Sequence, residues 1–297
     1  MGETTGISWC DHTFNSHWGC EKPLVQIGGK QVVSPECVRC YAETWDKRCG
    51  GKNWGRTAPR RFFGEKHWRE PLKWNRDARE SGERRRVFCL SMGDICEDRR
   101  DLDPMRASVG ELIAATESLD WMLLTKRADL LETLIPPEVW RLPNVWPGVT
   151  AGVQATANLR IPYLVRLKEK YPHLIAWVSG EPLLEAVDWD TAGASVEDYE
   201  GGDPGYRRAF RTALIDLLII GGESGGGARP FNTEWAKYAI EWGRETGCHV
   251  WIKQLGAHTQ GPEQSTPDWV CRLNAHGSNW DEWPADICVR QMPEVRA

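Results

Sequence analysis

What is missing from the sequence narrows its function first. No stretch approaches the run of about 18 apolar residues that a membrane span needs. The opening "MGETTGISWCDHTFN" has no basic region leading into an apolar one, so no secretory leader is read there. A cytoplasmic protein without a membrane partner is expected. The initial Met-Gly is half of a myristoylation signal, but the sixth residue is Gly6 where Ser or Thr is required. The seven histidines form neither an H-x3-H nor an HExxH arrangement, which argues against a mononuclear zinc hydrolase. "GGESGGG" has the glycines of a phosphate loop but not its G-K-S/T ending, since Arg229 and Pro230 follow, so a nucleotide triphosphatase is not expected. There is no short repeat and no long low-complexity segment.

The sequence is rich in cysteine and tryptophan, with 10 and 17 respectively among 297 residues. In a reducing compartment cysteines are seldom disulfides, so each is a metal ligand, a reactive group or a packed thiol. The net charge of −5 is unevenly spread. Residues 39 to 86 hold 15 Lys or Arg against 7 Asp or Glu, a balance of +8, which leaves −13 for the rest. The basic stretch, centred on 47 to 86, interleaves its cations with Trp54, Phe62, Phe63, Trp68 and Trp74. That mixture suits phosphates and stacked bases, and it equally describes a solvated helix face.

Seven apolar runs recur along the chain: a weaker "GISWCDHTFN" at 6–15, then 86–92, 120–125, 144–149, 173–178, 214–222 and 249–253. Continuous apolarity is the mark of strands buried on both faces. Amphipathic segments lie between them, including "DPMRASVGELIAATESL", "ATANLRIPYLVRLKEKY" and "NTEWAKYAIEWGRETG", the last closing on Gly247 as a C-terminal cap. Alternating strand and helix implies a parallel sheet. Seven units suit one α/β domain over 1–297, a partial or open parallel (β/α) TIM-like barrel. Residues 257–297 are expected as an irregular strap. A polar cluster follows each strand: Asn15 to Cys20, Ser91 to Asp94, Thr125 to Arg127, Thr150 to Gln154, Ser179 to Pro182, Gly221 to Ser224, and Lys253 with Gln254. In a parallel barrel such strand ends form the active-site face.

Cys20, Cys37 and Cys40 lie just after the first strand. Cys37 and Cys40 have the C-x2-C spacing of metal thiolates, and Ser34-Pro35 supplies a turn ahead of them. The loop of residues 20–40 contains "LVQIGGKQVV", a hairpin with Gly28-Gly29 at its turn, which would fold Cys20 back toward the pair. Cys49 would complete a closed four-thiolate zinc site, C-x16-C-x2-C-x8-C. Three thiolates alone would instead leave one iron of a 4Fe-4S cluster open. Spacing leaves both open.

"ISWCDHTFN", "GC", "SPECVRCYAE", "SMGDIC", "LLTKRAD", "NVWPGVTAGVQ", "SGEPLL", "LIIGGESGGGARP" and "WIKQLG" occur in order over about residues 6 to 256. Together they resemble a phage protein family with a three-cysteine motif, often encoded beside a three-Cys-motif partner protein and distantly similar to radical S-adenosylmethionine (SAM) enzymes such as spore photoproduct lyase. The resemblance implies a barrel of the radical SAM type, with Cys20, Cys37 and Cys40 as ligands of a 4Fe-4S cluster and Cys49 outside the motif. It implies SAM as second cofactor, and an electron donor as partner. Radical SAM enzymes commonly have C-x3-C-x2-C with an aromatic just before the last cysteine. Here the first gap is sixteen, Arg39 holds the aromatic place and Tyr41 follows.

The implied cofactor contacts are Tyr41 to adenine, Lys126 or Arg127 to the carboxylate of SAM, and Gly221, Gly222 and Glu223 at its amino end, with Glu181 competing for that role. Lys253 and Gln254 would face substrate, and Cys96 is a candidate hydrogen-atom donor. The activity expected is reductive cleavage of SAM to modify or repair a nucleic-acid base, in phage DNA by the resemblance. A peptide or metabolite substrate, or a zinc-stabilised nucleic-acid-binding protein without catalysis, are the alternatives.

Overall fold

A computed structural model describes residues 5–192, 214–267 and 276–294. All seven apolar runs become strands of one sheet. They are β1 (His12–Phe14), β6 (Arg85–Cys89), β7 (Leu119–Thr125), β8 (Val145–Thr150), β9 (Trp177–Gly180), β10 (Leu217–Gly221) and β12 (His249–Gln254), paired in that order. The pairings β1–β6, β6–β7, β9–β10 and β10–β12 are parallel. The strand order never reverses, as crossovers of one hand in a barrel require. The fold is α/β, an open parallel half-barrel. No described helix is long and apolar enough to cross a membrane.

The chain divides into two compact units, Met1–Gly148 with Lys170–Leu174, and Val149–Glu169 with Ile175–Ala297. In the first, β2 (His17–Trp18) pairs with β5 (Arg61–Phe62), and β3 (Leu24–Ile27) pairs with β4 (Lys30–Val33). Helices α1 (Tyr41–Arg48), α2 (Glu70–Ser81) and α3 (Asp103–Ala114) complete it. The β3–β4 hairpin turns as expected, with Gly28 at φ 57° and Gly29 at φ 76°, a left-handed pair that glycine adopts without steric cost. The core of this unit is aromatic: buried Phe14 meets Trp121 edge-on at 5.6 Å, and Trp74 stacks on His12 at 4.4 Å.

The second unit holds α4 (Gln154–Lys170), whose last residue belongs to the first, and α5 (Thr233–Thr246). Asn232 caps α5 by accepting the Glu234 N–H, and Gly247 closes it at φ 78°. The fifth strand begins at Trp177 rather than near 173, because Leu174 N–H turns back to Tyr171 O within the first unit. The strap has a definite place. Residues 287–291 run beside β12, with Ile252 N–H to Val289 O and Gln291 N–H to Val250 O, both 2.9 Å. They cover an edge strand that would otherwise present unpaired backbone groups. Further back, β13 (Thr259–Gln260) pairs in parallel with β11 (Phe231–Asn232). Residues 268–275 and 295–297 of the expected strap lie outside the described residues.

Candidate metal and cofactor site

The first cysteine is held by two buried ion pairs. After β2 the chain turns at Gly19, φ +110°, where an added Cβ would lie 2.3 Å from Asn53 O, so only glycine fits. Cys20 follows. Its Sγ lies 3.8 Å from Arg127 Nη1, and the same guanidinium donates to Glu21 O. Arg127 also binds Asp94 Oδ2 at 3.0 Å. On the other side, Glu21 N–H donates to Glu97 Oε1 at 2.8 Å, and Glu97 is paired with Arg60, whose Nε lies 2.9 Å from Oε2. Both backbone groups of Glu21 are therefore fixed by charged side chains that reach in from beyond the strand ends of β6 and β7.

Asp94 is the centre of this arrangement and was not among the predicted site residues. Its carboxylate accepts from Thr125 Oγ1 (2.7 Å), Cys96 N–H (2.9 Å), Lys126 N–H (3.0 Å) and Arg127. Burial alone would raise its pKa, but Arg127 and these donors hold it below the ordinary carboxylate range. Burial works against the charge on Arg127 as well, and Asp94 with Cys20 holds its pKa up. Burial pushes the Cys20 thiol up, while Arg127 favours its thiolate. A strand-end carboxylate in "SMGD", two residues before Cys96, was the one sequence signal that could have found this group.

Cys37 and Cys40 lie on a second short element. Pro35 opens a single 3₁₀ turn over Pro35–Cys37, and Cys37 N–H returns to Ser34 O at 2.8 Å, so the expected Ser-Pro turn is present. Cys40 is the N-cap of α1. Cys49 is the C-cap of the same helix. The eight helical residues between them hold the two caps about 13 Å apart, whereas two sulfurs on one zinc lie within about 4.6 Å of each other. Their side chains are too short to close that gap, so the four-thiolate zinc site is corrected: Cys49 is not a co-ligand of Cys40. Among the described residues no three His, Cys, Asp or Glu side chains stand close enough to hold a single metal ion. A 4Fe-4S cluster takes one thiolate on each of three irons, so its ligands stand farther apart than those of one ion. Three soft sulfur donors, Cys20 beside the Arg127 guanidinium, fit that group in chemistry.

Several predicted contacts are corrected. Cys96 is fully buried, and burial pushes its thiol up; it packs the core and cannot meet a substrate as hydrogen donor. Arg127 is occupied by Asp94, Cys20 and Glu21, so it serves the cysteine loop rather than a SAM carboxylate. Lys126 lends its backbone N–H to Asp94. Tyr41 is 61 % exposed, its hydroxyl donating to Ser91 O at 2.7 Å, so its ring faces outward and not into a closed adenine pocket.

The remaining predicted residues sit in the second unit. Glu181 is paired with Lys253, and Glu223 with Arg229, which reaches it by Nη2 at 2.6 Å, by Nε at 3.1 Å and by its backbone N–H at 2.9 Å. Both candidate amine-binding carboxylates thus already hold a cation. Gln254 donates from Nε2 to Gly222 O at 2.8 Å, which ties β12 to the end of β10 instead of facing substrate. A Cβ on Gly222 would lie 2.4 Å from Leu255 O, and one on Gly221 would lie 3.3 Å from Glu181 Cγ. Gly222 is needed for backbone packing, and Gly221 leaves room beside Glu181.

The basic aromatic segment is also redrawn. Trp74 is buried on His12, Trp68 packs edge-on to Phe14, Phe63 meets Trp18 and His67, and Trp54 packs against the cluster of Trp18, Ala42 and Met92. Of the five predicted aromatics only Phe62 is exposed.

Three solved structures show a weak similarity to this chain. A spore photoproduct lyase variant with bound AdoMet and dinucleoside spore photoproduct is similar at 13% identity and a TM-score of 0.45, over 74% of this chain and 58% of that one. A second spore photoproduct lyase variant gives 13% and 0.46, over 78% and 58%. SuiB of Streptococcus suis bound to S-adenosylmethionine gives 11% and 0.35, over 65% and 42%. The chain thus spans a little over half the length of the lyase chains. None of the curated proteins matches. The family model described as "Protein of unknown function (DUF5131)" matches residues 4–284, nearly the whole sequence, and the chain belongs to that family.

Proposed function

We propose that this chain is a radical SAM enzyme in which Cys20, Cys37 and Cys40 hold a 4Fe-4S cluster with one open iron, acting on a nucleic-acid base, with phage DNA as the substrate that the sequence resemblance suggests. The observation that carries the reading is the removal of Cys49 to the far end of α1, which leaves three thiolates and not the four of a closed zinc site. When bound, the cluster supplies the electron for reductive cleavage of SAM, and an external donor renews it.

The chain's own residues prepare that site. Arg127 brings a fixed positive charge to Cys20 Sγ, and Asp94 holds Arg127 in place. Glu97 and Arg60 fix the next peptide, so the first ligand is oriented before any metal arrives.

Anaerobic reconstitution tests the proposal. The expected outcome is a brown protein with about four irons and four sulfides per chain, lost in Cys37→Ala and retained in Cys49→Ala, that releases 5′-deoxyadenosine from SAM with reductant. A colourless protein binding one zinc through Cys49 would overturn it. An iron protein that forms no 5′-deoxyadenosine would remove the enzymatic part.

A further inference from the structure

The outward face of α1 and its flanks is not used by the cluster reading. Tyr41 and Trp45 lie one turn apart, and Arg48 follows three residues later, so the three share one stripe. Ala42 and Asp46 take the inner face and are buried. Tyr41 is 61 % exposed, Trp45 52 %, and Phe62 on β5 46 %. β5 pairs with β2, where Arg61 stands opposite Trp18, which packs against Ala42, and Phe62 stands opposite His17 on the other face of the ladder. The Tyr41 hydroxyl bond to Ser91 holds its ring still.

Exposed cations outnumber exposed carboxylates along this stretch. Arg39, Arg48, Lys52, Arg56 and Lys66 are exposed. Between residues 39 and 69 the one exposed carboxylate is Glu65, and it is tied to Arg69. In a chain of net charge −5 this is a local property. Cations attract phosphate, and an exposed aromatic plane gains most from another plane laid on it. A duplex hides its base faces, whereas a single strand presents phosphates and open bases together.

We propose that this surface binds a single-stranded nucleic-acid segment, its bases stacking on Tyr41 and Trp45 and its phosphates lying on Arg39, Arg48, Lys52 and Arg56. The inference rests on the nucleic-acid reading above and names the form of that substrate. It places the strand along the helix that Cys40 caps.

The test is fluorescence anisotropy of the full chain, metal-free, with a labelled oligo-dT strand and a hairpin duplex of equal length across a sodium chloride series. The strand is expected to bind more tightly than the duplex, and Trp45→Ala to weaken it roughly 5- to 100-fold, with Trp45→Phe restoring most of the loss. Arg48→Gln and Lys52→Gln should each lower the slope of log affinity against log salt by about 0.7. Thermal melting of these surface variants should match the parent, which separates lost contact from lost fold. Equal or tighter duplex binding, unchanged affinity in Trp45→Ala, or stronger binding of a polyglutamate peptide would overturn the proposal. Because the binding is measured without metal, absence of iron uptake would remove the cluster reading and leave this result standing. Loss of strand binding with normal iron uptake would remove this surface alone.

Discussion

Arg127 shows how one residue can be identified by type and misassigned by role. As a strand-end cation it invites an anionic ligand, yet its guanidinium is satisfied by Asp94, Cys20 and Glu21 within the protein. Replacing it with Met would leave Asp94 buried without its counter-charge, a loss of order 3 kcal/mol, and would free the Cys20 loop. Reduced iron uptake after reconstitution of Arg127→Met, with a lower melting temperature, is the expected outcome. Arg127→Lys should recover part of both, since a lysine keeps the charge but not the forked geometry. Unchanged iron uptake and melting temperature in the Met variant would show that the pair does not hold the loop.

At the scale of elements, local sequence signals were reliable where a segment's own periodicity decides its state. The apolar runs became the seven sheet strands, the double glycine turned the β3–β4 hairpin, and Asn232 and Gly247 bound α5 at its two ends. The strap is different, because its backbone pairs with β12 some 35 to 40 residues earlier and no local pattern announces that. Arg290 stacks over Trp251, Trp280 and Trp283 at 5.5, 4.3 and 6.0 Å and also donates to Ile252 O and Lys253 O. Arg290→Ala should therefore cost about 1–2 kcal/mol and lower the melting temperature by a few degrees. Calorimetry checks this, and an unchanged melting point would mean that the strap does not depend on Arg290.

At the scale of the whole molecule, buried ionisable groups link stability to pH. His17 is 2 % exposed, and burial, followed by Arg60 and Arg106, lowers its pKa from 6.5 to about 4. The unfolded chain thus protonates before the folded one. Its contribution to stability is complete above pH 6.5 and is lost as pH falls toward 4, by up to about 1.4 kcal/mol per pH unit. His17→Phe should flatten that part of the melting-temperature curve between pH 6.5 and 4, and an identical curve would show that another group sets the acid limb. From sequence alone came the strand count, the hairpin, the helix caps, the α/β class and the three cysteines of the motif, because burial periodicity and turn chemistry act over a few neighbouring residues. Only the tertiary structure decided that Cys49 stands apart from Cys40, that Asp94 and Glu97 hold the first cysteine, and that Tyr41, Trp45 and Phe62 lie exposed. A charged or aromatic side chain has many suitable partners along a chain of this length, and which one it meets is settled by folds that bring residues 30 to 100 positions apart into contact.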